Sequence, residues 1–485
     1  MKLKELLENI SYTTLSGSCE AEITSLAYDS RRVHTGSCFF AVPGVHCDGH
    51  DFIASAISSG AAAVVCEHIP DGIVAQDCAI VVVEDSNVAM AEMAANLYGH
   101  PSRHLKVVGV TGTNGKTTIA TLLYDLVRAM GHKAGLISTV VYKIDEREIE
   151  STHTTPDAIR LQQMMAEMVE CGCEYCFMEC SSHAIVQHRI GGIEFTGALF
   201  TNLTHDHLDY HKTFAEYIRA KKQLFDRLPK RAFALVNIDD RNGEVMLQNT
   251  AAKRYTLSLR RVADFHCRII EMLTGAMLLK IDNREVWVRL VGRFNAYNLL
   301  TVYGAALLLG FDREEILQQI SLLHSVSGRF ETVVAKDGTS AIIDYAHTPD
   351  ALANVIATIN EVRNGTQRLI VVCGCGGDRD HSKRPEMAAI AVRDADLAIF
   401  TSDNPRHENA EDILLDMERG IASGSRYLKI SDRAEAVKTA VMLAEPGDII
   451  LLAGKGHECY QIVGDERLPF SDKEEVTKWF ENFKR

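Results

Sequence analysis

The stretch Leu105-Lys-Val-Val-Gly-Val-Thr-Gly-Thr-Asn-Gly-Lys-Thr-Thr118 decides how this chain is read. Its opening, Leu105–Val110, is an apolar run of strand type, and a helical pattern follows from about Thr117 to Met130. A glycine-rich turn joins the two. In that setting successive backbone N–H groups and a helix N-terminus cradle phosphates, and Lys116 adds a positive charge. The hydroxyl of Thr117 is placed to bind Mg²⁺. The strict pattern G-x-x-x-x-G-K-[ST] fails by one position, because its first glycine would fall on Val110. By itself the loop implies a nucleoside triphosphate and no more.

Outward from this loop the chain keeps alternating strand and helix. In front of it, Phe39–Val42, Ala62–Cys66 and Ile80–Val83 read as strands, Ile53–Ser59 and Asn87–Tyr98 as helices, and Gly99-His-Pro-Ser as a break. Residues 1–10 read as a short amphipathic helix. Behind it, Ala341–Asp344, Leu369–Cys373, Leu397–Phe400 and Ile449–Ala453 are runs of the buried parallel-strand type. The expectation is an α/β protein of three domains, over 1–98, 99–331 and 332–485, with ligands bound beyond the carboxyl ends of strands. The stripe Leu161, Met164, Met165, Met168 has helical spacing and reads as core. Arg219-Ala-Lys-Lys and Lys230-Arg read by default as solvated helix faces.

Composition narrows the function. Of 485 residues 46% are hydrophobic and 24% charged, which suits packed globular domains. Acidic residues exceed basic ones by 65 − 51 = 14, so the chain lacks the broad positive surface of a nucleic-acid binder. No apolar run is long enough to span a membrane, and Glu5 and Glu8 interrupt the start too early for a signal peptide, so a cytoplasmic location is expected. The 13 scattered cysteines suit reduced thiols. Cys171, Cys173, Cys176 and Cys180 invite a metal reading. They lack paired hooks separated by a loop, and the last two lie in or beside an apolar run, so they read as buried small hydrophobes.

Several polar clusters follow apolar strands. Glu179-Cys-Ser-Ser-His-Ala184 sets a carboxylate at a strand end, suited to Mg²⁺. In Thr201-Asn-Leu-Thr-His-Asp-His-Leu-Asp-Tyr-His211, three histidines and two aspartates fall within seven residues. Alone this is as well read as a buried polar network as a metal site; beside a phosphate loop the metal reading gains. Asp344–Asp350, Cys375–Arg384, Thr401–Arg406 and Ala453–Glu458 would line one rim of the third sheet. Any one suits an ordinary turn, but four on one rim argue for a ligand site.

With these motifs, and with Thr154-Thr-Pro-Asp157, Gly292–Asn298 and Ser327–Glu331, the chain resembles the ATP-dependent Mur ligases over essentially its whole length, and among them those that add the third peptide residue of the peptidoglycan precursor. The resemblance implies a UDP-binding N-terminal domain, a central ATPase domain and a C-terminal Rossmann-like domain. It implies that meso-diaminopimelate is joined to UDP-N-acetylmuramoyl-L-alanyl-D-glutamate, with ATP and two Mg²⁺ ions. Carried over by motif, Gly112, Thr113, Asn114, Gly115, Lys116, Thr117 and Thr118 hold the phosphates. Asn298 reads the adenine, and Arg329, Asp344 and His347 close the nucleotide site. Thr117, Glu179 and His207 would ligate metal. Lys221, rather than its neighbour Lys222, matches the lysine that CO₂ carbamylates, and would bind a cation in that form. Lys116, Lys221 and His207 form the implied catalytic set.

The UDP-sugar-peptide would contact Tyr28, Ser30, His46, Thr154, Thr155, Ser181, Gln187 and Arg189. The family often carries asparagine where this chain has His153. Asp403-Asn-Pro-Arg406 resembles the motif of the diaminopimelate-adding members. Diaminopimelate has a second carboxylate that an arginine fork can bind, and lysine has none. Arg379, Asp403, Asn404, Pro405, Arg406, Gly454 and Glu458 complete that pocket, with Glu458 suited to the distal ammonium. The alternatives are the same ligase adding L-lysine, a related ligase of the folylpolyglutamate synthetase type, a nucleotide-binding regulator that ligates nothing, and an Arg406 that merely pairs with an acid such as Glu408.

Overall fold

The computed structural model describes residues 1–485 except 45–46, 76, 205–207, 274 and 484–485. Among these residues three large sheets follow one another along the chain, with a two-stranded hairpin, Tyr460–Val463 and Glu466–Pro469, near its end. The first has five strands in the order Thr14–Ser16, Ala79–Val82, Ala63–Cys66, Ser37–Phe40, Ser25–Ala27; all pair in parallel except the first. Its parallel strands are short and apolar, as strands covered on both faces must be.

The second sheet has a parallel centre in the order Lys253–Ser258, Phe233–Asn237, Gly197–Phe200, Lys106–Thr111, Tyr175–Glu179, Ala134–Ile137, with antiparallel hairpin strands at its outer ends. Lys106–Thr111 lies in the middle, and the chain leaves it on both sides, the place where an open α/β sheet forms its crevice. Val108 and Val110 face the helices Lys116–Ala129 and Arg293–Leu309, while Val107 faces Ala158–Glu170 and Phe214–Asp226. The stripe Leu161, Met164, Met165, Met168 is core, as read, and is wholly buried.

The third sheet runs Glu331–Val334, Ser340–Asp344, Ile449–Ala453, Leu369–Cys373, Leu397–Phe400, Tyr427–Lys429, parallel after its antiparallel first strand. The four polar loops therefore leave carboxyl ends on one rim. Behind them Arg433 and Asp472 form a wholly buried ion pair at 2.7 Å, and Arg433 also donates to the Ala453 carbonyl, one residue before the Gly454 loop. The N-terminal unit meets the central one at Gly191 and Gly192. A Cβ there would stand 2.7 and 2.8 Å from the Cβ atoms of Ala91 and Ala95, so only glycine allows this approach.

Two local readings need correction. The N-terminal helix spans only Leu3–Leu6, because Asn9 takes a left-handed φ of 62° and ends any continuation. Lys221 is not on a solvated face: it is 1% exposed, on the same stripe of Phe214–Asp226 as Tyr217, Leu224 and Phe225. Arg219 is exposed on that helix, as read, whereas Lys230 and Arg231 are exposed in the turn beyond its end and lie on no helix face. Cys173, Cys176 and Cys180 are buried and unbridged, with burial raising their thiol pKa values, whereas Cys171 is exposed.

The buried pair gives a stability test. Breaking one partner strands a buried charge, so Asp472→Asn should cost about 3–5 kcal/mol in denaturant unfolding, and Arg433→Met/Asp472→Leu should recover most of it. A loss under about 1 kcal/mol would contradict a structural role for the pair.

Candidate active site

The phosphate loop is held from one side by the segment after the Gly197–Phe200 strand. Thr201 Oγ1 donates to the Asn114 carbonyl at 2.7 Å, the Asn202 carbonyl accepts from Thr113 N at 2.8 Å, and Asn202 Oδ1 accepts from Asn114 N at 3.0 Å. The Thr201 hydroxyl lies 1.9 Å from where a Cβ on Gly112 would stand, and Gly112 has a φ of 144°. Gly115, with a φ of 91°, likewise leaves room for Asn298 Oδ1. These glycines are required by close approach as well as by backbone angle.

Three polar groups converge on this loop. Lys116 Nζ donates to the carbonyls of Gly112 and Thr113 at 3.0 and 2.8 Å. Lys221 Nζ donates to the Gly112 carbonyl at 2.8 Å and lies 4.5 Å from the centre of the Tyr217 ring. Lys222 instead pairs with Asp226. Glu179 is 1% exposed; its Oε1 accepts from Thr139 N at 2.7 Å, while its Oε2 is buried with no hydrogen-bond partner among the described residues. A buried carboxylate oxygen left over in this way fits a bound cation. Thr117 lines the same cavity. Among the described residues no three His, Cys, Asp or Glu side chains form a cluster that could hold a metal. His207 and His46 lie outside the described residues.

That cavity, about 510 Å³, is shared between the second and third sheets. Arg329 Nη2 donates to Thr117 Oγ1 at 3.2 Å, and Asn114 Nδ2 to Asp350 Oδ2 at 3.3 Å. Asn298 is buried and donates to Asn295 Oδ1 at 3.1 Å. Asp344 accepts from Phe330 N at 2.7 Å; burial pushes its carboxyl up to about 6, against the opposing pull of Arg329. His347 Nδ1 lies 2.8 Å from the Tyr345 carbonyl. His457, pressed by burial and by Arg329 and Lys455, is pushed down to about 4, so it is neutral at pH 7. Thr118 is buried in the first turn of the helix that follows the loop.

The cavity reaches Thr154 and Ser181. Ser181 Oγ caps the Ser182–Val186 helix through Ala184 N. Thr155 is 1% exposed, and its hydroxyl donates to the Glu179 carbonyl at 2.8 Å, so it braces this edge and is spent internally. Arg189 donates through Nε and Nη2 to Gln187 Oε1 and through Nη1 to the Thr155 carbonyl. Among the described residues no carboxylate lies within ion-pair distance of it. Tyr28 is exposed on the first unit, close enough to feel the Arg189 charge, and Ser30 opens the short helical turn Ser30–Arg32.

The loops of the third sheet make a second polar region. Arg406 Nη1 donates to the carbonyls of Gly377 and Asn404 at 2.9 and 3.4 Å. Glu408 accepts instead from buried Arg384, at 2.9 Å, and from Asp378 N. Among the described residues Arg406 therefore has no carboxylate partner. It also holds a left-handed φ of 51°, fixed because its N donates to the Ile462 carbonyl and its own carbonyl accepts from Gly464 N. Arg379 is exposed beside it, across Gly376. Asn404 Nδ2 donates to Glu458 Oε2 at 2.9 Å. Gly454 leaves room for Asp403 Oδ2, 2.5 Å from where its Cβ would stand, and the Pro405 carbonyl lies in the same way over Gly377.

Sequence reasoning missed three contributors: the Thr201–Asn202 clamp, Arg384, and Tyr345. The Tyr345 ring lies under the Arg329 guanidinium at 4.6 Å and its hydroxyl points toward Glu458 Oε1 at 3.5 Å. Its signal was present in the quoted Asp344–Asp350 loop, where the histidine drew the attention.

A phosphate loop beside a buried carboxylate, facing a second domain that presents a carboxylate and a guanidinium with no carboxylate partner among the described residues, defines a nucleotide-dependent enzyme that handles a charged second substrate. The comparisons agree. Residues 22–98 match the Mur ligase family catalytic domain, 110–306 the Mur ligase middle domain and 328–456 the Mur ligase glutamate ligase domain. The UDP-N-acetylmuramoyl-L-alanyl-D-glutamate–2,6-diaminopimelate ligase of Parabacteroides distasonis is 53% identical over 482 residues, 99% of each chain. The ligase of the same name from Cytophaga hutchinsonii is 52% identical over 475 residues, 98% of each. A solved structure of a ligase bearing that name is 32% identical, with a TM-score of 0.70, covering 100% of this chain and 99% of its own. The chain belongs to the Mur ligase family.

Asp344 supplies a pH test. Its folded form holds a proton more tightly than the unfolded chain does. That contribution to stability is full below the usual carboxylate range and is lost as pH rises through about 6. Asp344→Asn does not titrate, so between about pH 5 and about pH 8 its stability relative to the parent should rise by about 1–2 kcal/mol in denaturant titrations. A difference that stays flat over that range would contradict the assignment.

Proposed function

We propose that this chain is an ATP-dependent ligase that joins meso-diaminopimelate to the γ-carboxylate of the D-glutamate in UDP-N-acetylmuramoyl-L-alanyl-D-glutamate, in the synthesis of the peptidoglycan precursor. The observation that carries the choice of amino acid is Arg406, a guanidinium with no carboxylate partner among the described residues, with Asn404 bonded both to it and to Glu458. One fits a distal carboxylate and the other a distal ammonium, the two groups that diaminopimelate carries together. L-Lysine would leave the arginine unanswered.

The chemistry follows from the charges. A carboxylate is a poor electrophile because its leaving group would be oxide. Its oxygen attacks the γ-phosphorus of ATP, ADP leaves, and an acyl phosphate forms. The amine then attacks the acyl carbon, loses a proton, and the tetrahedral intermediate expels phosphate with one of the original carboxylate oxygens. Catalysis is chiefly positioning and charge neutralisation. Gly112–Thr118 and Lys116 hold the phosphates, Asn298 the adenine, and Arg329, Asp344 and His347 close over them from the third-domain side. Thr117, Glu179 and His207 would hold Mg²⁺, which when bound supplies the positive charge that lets a triphosphate and a carboxylate meet. The unpartnered Glu179 oxygen supports that reading. Lys221 is the residue for carbamylation: its amine is buried at the loop, and a carbamate would place a cation-binding oxygen group there.

Tyr28, Ser30 and His46 would take the UDP end of the first substrate, and Thr154, Ser181, Gln187 and Arg189 its sugar-peptide end, with Thr155 acting through Ser181. Arg379, Asp403, Asn404, Pro405, Gly454 and Glu458 would frame the amino acid around Arg406. A cytoplasmic location fits an enzyme that consumes ATP. Among the described residues no helix is long and apolar enough to cross a membrane.

The test is product formation from ATP and UDP-N-acetylmuramoyl-L-Ala-D-Glu with meso-diaminopimelate, L-lysine or neither. Product and phosphate release with diaminopimelate alone are expected. Product with lysine would keep the ligase and overturn the pocket assignment, and hydrolysis indifferent to both would overturn the ligase. Arg406→Lys should lower kcat/KM for diaminopimelate on the order of 10–100-fold, with nucleotide affinity within about twofold. Equal losses in both would contradict the role given to Arg406.

A further inference from the structure

The lysine within Gly454-Lys-Gly-His-Glu458, Lys455, is wholly buried. Its Nζ donates to Asn404 Oδ1 and to Glu458 Oε2, each at 3.0 Å, and lies 3.8 Å from Asp403 Oδ1. Asn404 Oδ1 also accepts from Ile462 N at 2.9 Å, which fixes which end of the amide faces Glu458. Asn404 Nδ2 and Lys455 Nζ thus converge on one oxygen of Glu458, Oε2. Among the described residues the other oxygen, Oε1, has only the Tyr345 hydroxyl at 3.5 Å, beyond the usual range for a hydroxyl donor.

An ammonium is costly to bury, and this one is matched to the carboxylates of Asp403 and Glu458, which frame the proposed amino-acid pocket. Arg433, a buried cation that also feels the Asp403 charge, is engaged by Asp472 and cannot take its place. We infer that Lys455 is a positioning residue for the amino-acid substrate: it locks the Asn404 amide and draws Glu458 Oε2 inward, so that Oε1 is presented to the distal ammonium. Lys455 does not touch the substrate. It sets the preference for an amino acid that carries a second amine. This inference rests on the diaminopimelate reading of the pocket.

The experiment uses the full chain with saturating ATP and UDP-N-acetylmuramoyl-L-Ala-D-Glu. It compares meso-diaminopimelate with 2-aminopimelate, which keeps the reacting amine and the distal carboxylate but lacks the distal ammonium. The two are compared by KM, or by Ki where the analogue only inhibits. Lys455→Met keeps length and removes charge. It should raise KM for diaminopimelate on the order of 10–100-fold with kcat within about threefold, and change the value for 2-aminopimelate by less than about threefold, so that the preference collapses. Added to Glu458→Gln it should cost less than about a further twofold, since the two act as one unit. A loss of packing alone would weaken both amino acids and the nucleotide together. An unchanged preference, or equal weakening of both amino acids, overturns the inference. Lys455→Gln, which keeps a donor, carries the same test if the methionine variant does not fold. A parent enzyme that makes no product with diaminopimelate would instead sink the reading of the pocket.

Discussion

The arrangement depends on a missing Cβ. At Gly112 the Thr201 hydroxyl occupies the space that any side chain would need, and through that contact the phosphate loop is joined to the next strand's loop. Asn202 completes the clamp with two further bonds to the loop backbone. The loop is thus held before any nucleotide arrives. With the clamp in place, Lys116 and Lys221 can both address the Gly112 carbonyl and Glu179 can leave one oxygen free. Preorganised charge of this kind costs no rearrangement at the moment of reaction.

The second constraint is that the site has two halves. Arg329 reaches Thr117, and Asp350 reaches Asn114, so the nucleotide cavity is completed by residues that belong to the sequence beside and within the third sheet. Tyr345 lies where the halves meet, under Arg329 on one side and near Glu458 on the other. The polar region around Glu458 and the phosphate loop are therefore braced by the same short loop after Ser340–Asp344. Arg384 makes a quieter contribution: by taking Glu408 it leaves Arg406 without a competing carboxylate.

Much of this was legible because the signals are local. A strand, a glycine turn and a helix start are written in consecutive residues, and so are the polar loops that follow the strands of the third sheet. The clamp on the phosphate loop was not legible, since Thr201 and Asn114 are 87 positions apart and nothing near either announces the other. Lys221 shows how a default goes wrong. Within Arg-Ala-Lys-Lys, composition suggests a solvated face, but its spacing from Tyr217 and Leu224 puts it on the buried stripe. Thr155 shows the converse: a threonine in a substrate motif whose hydroxyl is used to hold its neighbour. The first helix is shorter than its apolar pattern suggests because Asn9, a residue type that takes the left-handed conformation more readily than most, ends it there.

The central claim is that ATP activates a substrate carboxylate which an amine then takes over, and isotope transfer tests it most directly. With ¹⁸O in the γ-carboxylate of the D-glutamate, and with ATP and meso-diaminopimelate present, each phosphate released should carry one labelled oxygen, and ligated product should form in equal amount. Phosphate free of label would mean that water, not the carboxylate, attacks the nucleotide, and would contradict the account.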